Sequence, residues 1–211
     1  MLYSEKAPEG RYAENIRLIR TNIKYLSVDS EKKVLLVTSV SKGDGKSTVA
    51  ANLAMTFSYD NNKVLLIDCD LRKPNIHKIF EISNEYGLTD FLANMKSDKG
   101  LIKKYSDRAD IITAGKSVPN PCEILSSDKF KNLLDQLRNE YDYIIIDSPP
   151  LDTVSDAQNL SINVDGTIIV VRSESTEKND LMELKRGFDK IGAKIIGVIV
   201  NRVKDKRPLY Y

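Results

Sequence analysis

The chain has 211 residues, 29% of them charged, with 32 Lys and Arg against 30 Asp and Glu for a formal net charge of +2. That length suits one large α/β domain with a substantial core, and so small a net charge gives no electrostatic case for a nucleic-acid partner. Cys69 and Cys122 lack C-x-x-C spacing and a histidine cluster, which points to a reducing cytosol rather than a disulfide or zinc framework.

No signal peptide is expected before Tyr12, and the apolar runs fall far short of the ~20 residues a membrane helix needs, so direct membrane insertion is not expected. The first element is a helix over residues 12–26, rich in Arg, Asn, Ile and Leu. Val34-Leu-Leu-Val-Thr38 then reads as a buried parallel strand. It runs into SVSKGDGKST, residues 39–48, which ends like the phosphate-binding pattern G-x-x-x-x-G-K-[ST] but has Val40 in place of the first glycine. What remains is the part nearest the chemistry. Gly43 and Gly45 can take positive φ and let backbone N–H groups approach an anion; Lys46 can meet phosphate oxygens and Ser47 can ligate a metal. Residues 48–57 repeat apolar side chains at helical spacing. The loop therefore precedes a helix N-terminus, whose partial positive charge favours an anion. Gly43, Asp44, Gly45, Lys46, Ser47 and Thr48 are the expected nucleotide-binding residues.

Further strands are expected over residues 64–67, 111–113, 143–146, 167–171 and 194–200. Their alternation with helical patterns predicts one domain: a mostly parallel sheet flanked by helices on both faces, binding its ligand at the carboxyl ends of the strands. The stretch VLLIDCDLRKP, residues 64–74, ends a strand with Asp68 and Asp70. If the extended geometry continues to Asp70, both carboxylates face one side, and such a pair calls for a cation such as Mg²⁺. Asp147 ends the apolar run YIIID in the manner of a Walker B acid. Lys46, Asp68, Asp70 and Asp147 are thus the expected catalytic residues, and Ser47, Asp70 and Asp147 the metal residues. Arg72 is read either as a phosphate or acceptor contact or as half of a structural salt bridge, and His77 as structural. Lys103-Lys104 and residues 204–207 read as solvated faces. In GKSVPNP, residues 115–121, Pro119 and Pro121 are expected to exclude regular structure.

Taken together these stretches resemble the bacterial tyrosine kinases, the BY-kinase family of capsule and exopolysaccharide systems, whose fold is shared with the MinD and ParA ATPases. The resemblance covers nearly the whole chain. VTSVSKGDGKST is similar to the family's Walker A, which also commonly lacks the first glycine; LLIDCDLRKP resembles its A′ motif and IIIDSPP its Walker B. Glu14, Arg17 and Arg20, followed by Thr21 and Asn22, resemble the E-x-x-R-x-x-R helix that mediates ring assembly there, although the spacing alone gives only a polar helical edge with an ion pair. Asn201 matches a position that contacts adenine in related ATPases, and it could equally cap a turn. Ser41 stands where MinD and ParA proteins usually carry a signature lysine, with Lys42 one step out of register, which speaks against a partitioning role.

The resemblance implies a P-loop NTPase fold of the MinD/ParA type that uses ATP and Mg²⁺. It further implies transfer of the γ-phosphoryl group, with Asp68 positioning or deprotonating the acceptor hydroxyl. Tyr210 and Tyr211, at the end of a tail over residues 201–211, are the expected acceptors, phosphorylated in trans within a homo-oligomeric ring. A transmembrane activator would hold the chain at the inner face of the cell membrane, a cognate tyrosine phosphatase would oppose it, and capsular or extracellular polysaccharide synthesis or export would be regulated. The alternative is a MinD/ParA-like ATPase switch that times partner binding without phosphorylating protein.

Overall fold

A computed structural model describes residues 2–7, 9–27, 30–93, 100–151 and 156–204. Its elements in chain order are α1 (Tyr3–Lys6), α2 (Arg11–Leu26), β1 (Val34–Ser39), α3 (Lys46–Ser58), β2 (Val64–Asp68), α4 (Ile76–Ile79), α5 (Leu88–Leu92), β3 (Lys103–Lys104), β4 (Ala109–Ile112), α6 (Pro121–Leu125), α7 (Asp128–Arg138), β5 (Tyr143–Asp147), α8 (Asp156–Ser161), β6 (Gly166–Arg172), α9 (Lys178–Lys190) and β7 (Ile195–Asn201). The strands form one sheet in the order β3-β4-β2-β5-β1-β6-β7. All neighbours are parallel except β3 and β4.

The expected sheet of parallel strands between helical layers is present, and the pleat explains its two cores. Leu35 and Val37 of β1 join the core under α2 and α3, while Val34 and Leu36 join the core under α5, α7 and α8, because successive side chains point to opposite faces. Strands covered on both sides read as continuous apolar runs rather than alternating ones. Helix α3 is buried along almost its whole length. Ala50, Ala51 and Ala54 bring it close to the sheet, Phe57 stacks on Tyr143 at 4.0 Å between centroids, and α2 lies over it through Ile16 and Ile23. Burial of a side chain such as Phe57 contributes roughly 1.5–3 kcal/mol.

Several expectations are corrected. Lys103 and Lys104 form the antiparallel edge strand β3, which the sequence reading did not expect; Lys104 is exposed and Lys103 half-buried. Lys103 Nζ donates to Tyr86 O and Thr113 Oγ1, each at 2.7 Å, and a short charged strand is a common way of closing a sheet edge. Pro121 does not exclude regular structure: it opens α6, where its missing N–H has no helical partner to lose. Strand β7 includes Asn201 instead of stopping before it, and β2 ends at Asp68, so the extended geometry does not continue to Asp70. Tyr210 and Tyr211 lie outside the described residues.

Candidate active site

The sheet order places β5 between β1 and β2, and the register aligns Asp147 with Val37 on one side and with Asp68 on the other. Three strand ends thus meet at one carboxyl edge, and each delivers one part of the site. Ser148 N donates to Val37 O, and Thr38 Oγ1 donates to Pro149 O, tying the loop after β5 to β1.

The loop between β1 and α3 accounts for the missing glycine. Val40 continues the β1 path, its N–H pointing at Val170 O at 3.4 Å, and its backbone is not left-handed. A β-branched residue is therefore accommodated there. Positive φ occurs instead at Gly43 (90°) and Gly45 (98°), and a Cβ on Gly45 would lie 2.2 Å from Asn201 Nδ2. Asp44 is a strut: its Oδ2 accepts from Ser41 N at 2.9 Å, and its carbonyl accepts from Asn201 Nδ2 at 2.8 Å. Asn201 thus ties the end of β7 to the loop.

Helix α3 begins at Lys46, whose ammonium lies 2.7 Å from Asp70 Oδ2 and 3.6 Å from Asp147 Oδ1. Burial works to lower its pKa, but the charges of Asp147 and Asp70 outweigh that and raise it. Among the described residues the buried Asp147 oxygens accept no hydrogen bond. Burial pushes the Asp147 carboxyl up to about 6 against the opposing charge of Lys46. Asp68 is pushed up to about 8, by burial first and by neighbouring Asp147 second. It also holds the turn that follows it, accepting at Oδ2 from Asn75 N (3.1 Å) and Ile76 N (3.0 Å) and at Oδ1 from Asp70 N (3.2 Å).

A cavity of about 360 Å³ opens over this floor, lined by Gly43, Gly45, Lys46, Ser47, Thr48 and Asp70, with Lys42, Arg72, Lys73 and Arg202 also on its wall. Among the described residues no three His, Cys, Asp or Glu side chains gather into a ready-made metal cage. Mg²⁺ seldom uses one, because it keeps several waters and takes one or two carboxylates plus phosphate oxygens. The orphaned Asp147 oxygens and the glycine-opened loop fit such an ion and a nucleotide phosphate.

Of the expected site residues, the structure brings together Gly43, Asp44, Gly45, Lys46, Ser47, Thr48, Asp68, Asp70, Asp147 and Asn201. Glu14 and Arg17 pair at 2.6 Å on the exposed side of α2, whereas Arg20 turns inward, donating to Thr56 O at 3.1 Å. His77 belongs to α4, and among the described residues its buried Nδ1 has no hydrogen-bond partner. Sequence reasoning missed Asp156, which accepts from Arg72 Nε at 3.1 Å. Its partner is 84 positions away, and no local pattern marks it.

Residues 32–197 match the AAA domain family. The tyrosine-protein kinase YwqD of Bacillus subtilis is 40% identical over 93% of this chain and 84% of its own length. The Escherichia coli tyrosine-protein kinase etk is 33% identical over 93% of this chain, which spans 27% of that longer protein. The solved kinase domain of the Escherichia coli kinase superposes with a TM-score of 0.90 at 28% identity, covering 100% of this chain and 85% of that one. The septum site-determining protein MinD of Pyrococcus horikoshii, complexed with Mg-ADP, superposes with a TM-score of 0.69 at 26% identity over 82% of this chain and 71% of its own. The expected P-loop fold shared with MinD is therefore present, and the nearer likeness is to the kinases. The chain belongs to the family of bacterial tyrosine-protein kinases.

Proposed function

We propose that the chain transfers the γ-phosphoryl group of ATP to protein tyrosines, those of its own tail among them, and thereby regulates capsular or extracellular polysaccharide synthesis or export. The observation that carries this reading is Lys46, buried and held by Asp70 beside Asp147, whose oxygens accept no hydrogen bond among the described residues, at the foot of a glycine-opened loop.

Mg²⁺ and ATP, when bound, supply the phosphoryl group and a divalent charge that offsets its oxygens. The chain's own residues do the rest. The amides of residues 43–48 bind phosphate oxygens at the start of α3. Lys46 exchanges its carboxylate partners for phosphate and stabilises charge where it develops. Ser47, Asp70 and Asp147 would hold the metal or its waters, and Asn201, bonded to Asp44 O and accepting from Arg202 N, keeps the loop in register and would contact the base. Asp68 orients the acceptor hydroxyl; a carboxyl raised to about 8 is also a better match to a phenol of pKa ~10 than an ordinary carboxylate.

Among the described residues no helix is long and apolar enough to cross a membrane. We place the chain at the inner face of the membrane through a transmembrane adaptor, with assembly through α2 and reversal by a tyrosine phosphatase. Incubation with labelled ATP tests the central reading: label stable to acid and base on tyrosine supports it. Phosphate release without labelled protein would favour the ATPase switch.

A further inference from the structure

We propose that Arg72 contacts the phosphoryl group in transfer, and that Asp156 is the positioning residue that aims it. The inference rests on the nucleotide-site reading above and assigns a role to one further cation on the wall of that cavity.

Arg72 sits on a short turn pinned at both ends. Leu71 before it and Ile76 after it are buried, and Lys73 N donates to Asp70 O and Asp70 Oδ1. The backbone at residue 72 is thus fixed relative to Asp70. The side chain reaches Asp156, in the first turn of α8, with Nε at 3.1 Å from Oδ2. Asp156 is 1% exposed, and among the described residues its Oδ1 has no hydrogen-bond partner. An arginine paired for stability normally engages both carboxylate oxygens with two N–H groups. Here a buried carboxylate takes one bond, and that bond is to Nε, so both terminal nitrogens stay available. They make no hydrogen bond among the described residues, and Arg72 lines the cavity that Lys46 and Ser47 floor. A guanidinium fixed at its stem with its planar fork left open suits a phosphoryl group.

In the transfer, the tyrosine oxygen bonds to the γ-phosphorus as the bond from phosphorus to the β-phosphate oxygen breaks. The phenolic proton passes to Asp68 and ADP leaves. Charge spreads over the equatorial oxygens of the moving group, and an arginine aimed at them acts on the triphosphate and transition state but not on ADP.

Calorimetric titration of wild type, Arg72→Ala, Arg72→Lys and Asp156→Asn with Mg²⁺ and either ADP or a non-hydrolysable imido analogue of ATP tests this without relying on activity. For Arg72→Ala we expect analogue affinity to fall about tenfold or more while ADP affinity stays within about twofold. Arg72→Lys should recover part of the loss, and Asp156→Asn should shift the same ratio less. Equal losses for both ligands, or no change for either, would overturn the role of Arg72 while leaving the nucleotide site standing. Wild type binding neither ligand would remove the nucleotide reading and this inference with it. If thermal melting shows Asp156→Asn unfolded, the Arg72 variants decide, each titrated below its own melting temperature, since Arg72→Ala leaves the buried Asp156 carboxylate without its partner although the Arg72 side chain itself is 40% exposed.

Discussion

Lys46 looks from the sequence like a lysine on a loop tip, and on that ground Lys46→Met is expected to end phosphoryl transfer without disturbing the fold. Burial against Asp70 and Asp147 alters the second half of that expectation. Removing one partner of a buried pair leaves the other uncompensated, a loss of about 1–3 kcal/mol. For a chain of this size that corresponds to a melting temperature lower by roughly 3–10 °C, measurable by calorimetry beside the loss of labelling. Unchanged melting with intact labelling would remove Lys46 from both roles. At the opposite end of the sheet Asp165 offers a stability test that leaves the chemistry alone. Its carboxylate accepts from Lys33 N, Val34 N and both ways from Arg138 Nη1. Burial raises its pKa, but Arg138 and the two amides prevail and hold it below the usual range. A lowered folded value means stabilisation present above the unfolded value of ~3.9 and lost as pH falls through the folded one. Asp165→Asn should therefore cost about 2 kcal/mol at pH 7. Its deficit in melting temperature relative to wild type should close below about pH 4, and a pH-independent deficit would refute the assignment. At this scale the P-loop residues were legible because their chemistry is local. Asp165 and Asp156 were not, since their partners lie far away in sequence.

Among elements, α2 separates what spacing can and cannot say. Glu14, Arg17 and Arg20 are three residues apart, and the sequence reading sets them along one polar edge. A step of three residues turns the helix about 300°, so Arg20 lies about 120° round from Glu14. The structure uses that rotation: Glu14 and Arg17 pair outward, while Arg20 reaches Thr56 O and approaches Asp60 at 3.9 Å, both at the C-terminal end of α3. If α2 is the assembly face, Arg17→Ala should shift sedimentation toward smaller species with melting nearly unchanged, because an exposed pair of this kind contributes only about 0.3–0.5 kcal/mol. Arg20→Ala should lower the melting temperature by several degrees through the lost charge-assisted bond, worth about 1.5–3 kcal/mol. Equal sedimentation of wild type and Arg17→Ala would count against the face. The same limit explains β3: two lysines carry no strand signal, and only pairing with Ala109–Ile112 makes them one.

For the whole molecule, the parallel topology was legible because six apolar runs alternate with helical patterns, but the neighbour order was not, since no strand encodes which partner it meets. That order bears on the proposed use of the tail. Strand β7 is an edge strand that ends at Asn201, and the next residue, Arg202, lines the cavity. The chain from Asn201 to Tyr211 has 11 residues, which reach at most about 36–40 Å when extended. A tail that starts beside its own cavity must double back to enter it, and Pro208 fixes φ near the acceptors. Reaching a neighbouring subunit needs no such reversal. Each phosphate would add roughly −1.5 to −2 charges, which Asp68, Asp70 and Asp147 repel, so a modified tail would leave. The test mixes Lys46→Met protein, inactive with its tail intact and kept below its lowered melting temperature, with an active protein lacking Tyr210 and Tyr211. Label is expected on the tail of the inactive partner and should diminish when Arg17 is replaced by alanine in both proteins. An unlabelled mixture beside a wild type that labels itself readily would mean that transfer occurs within one chain.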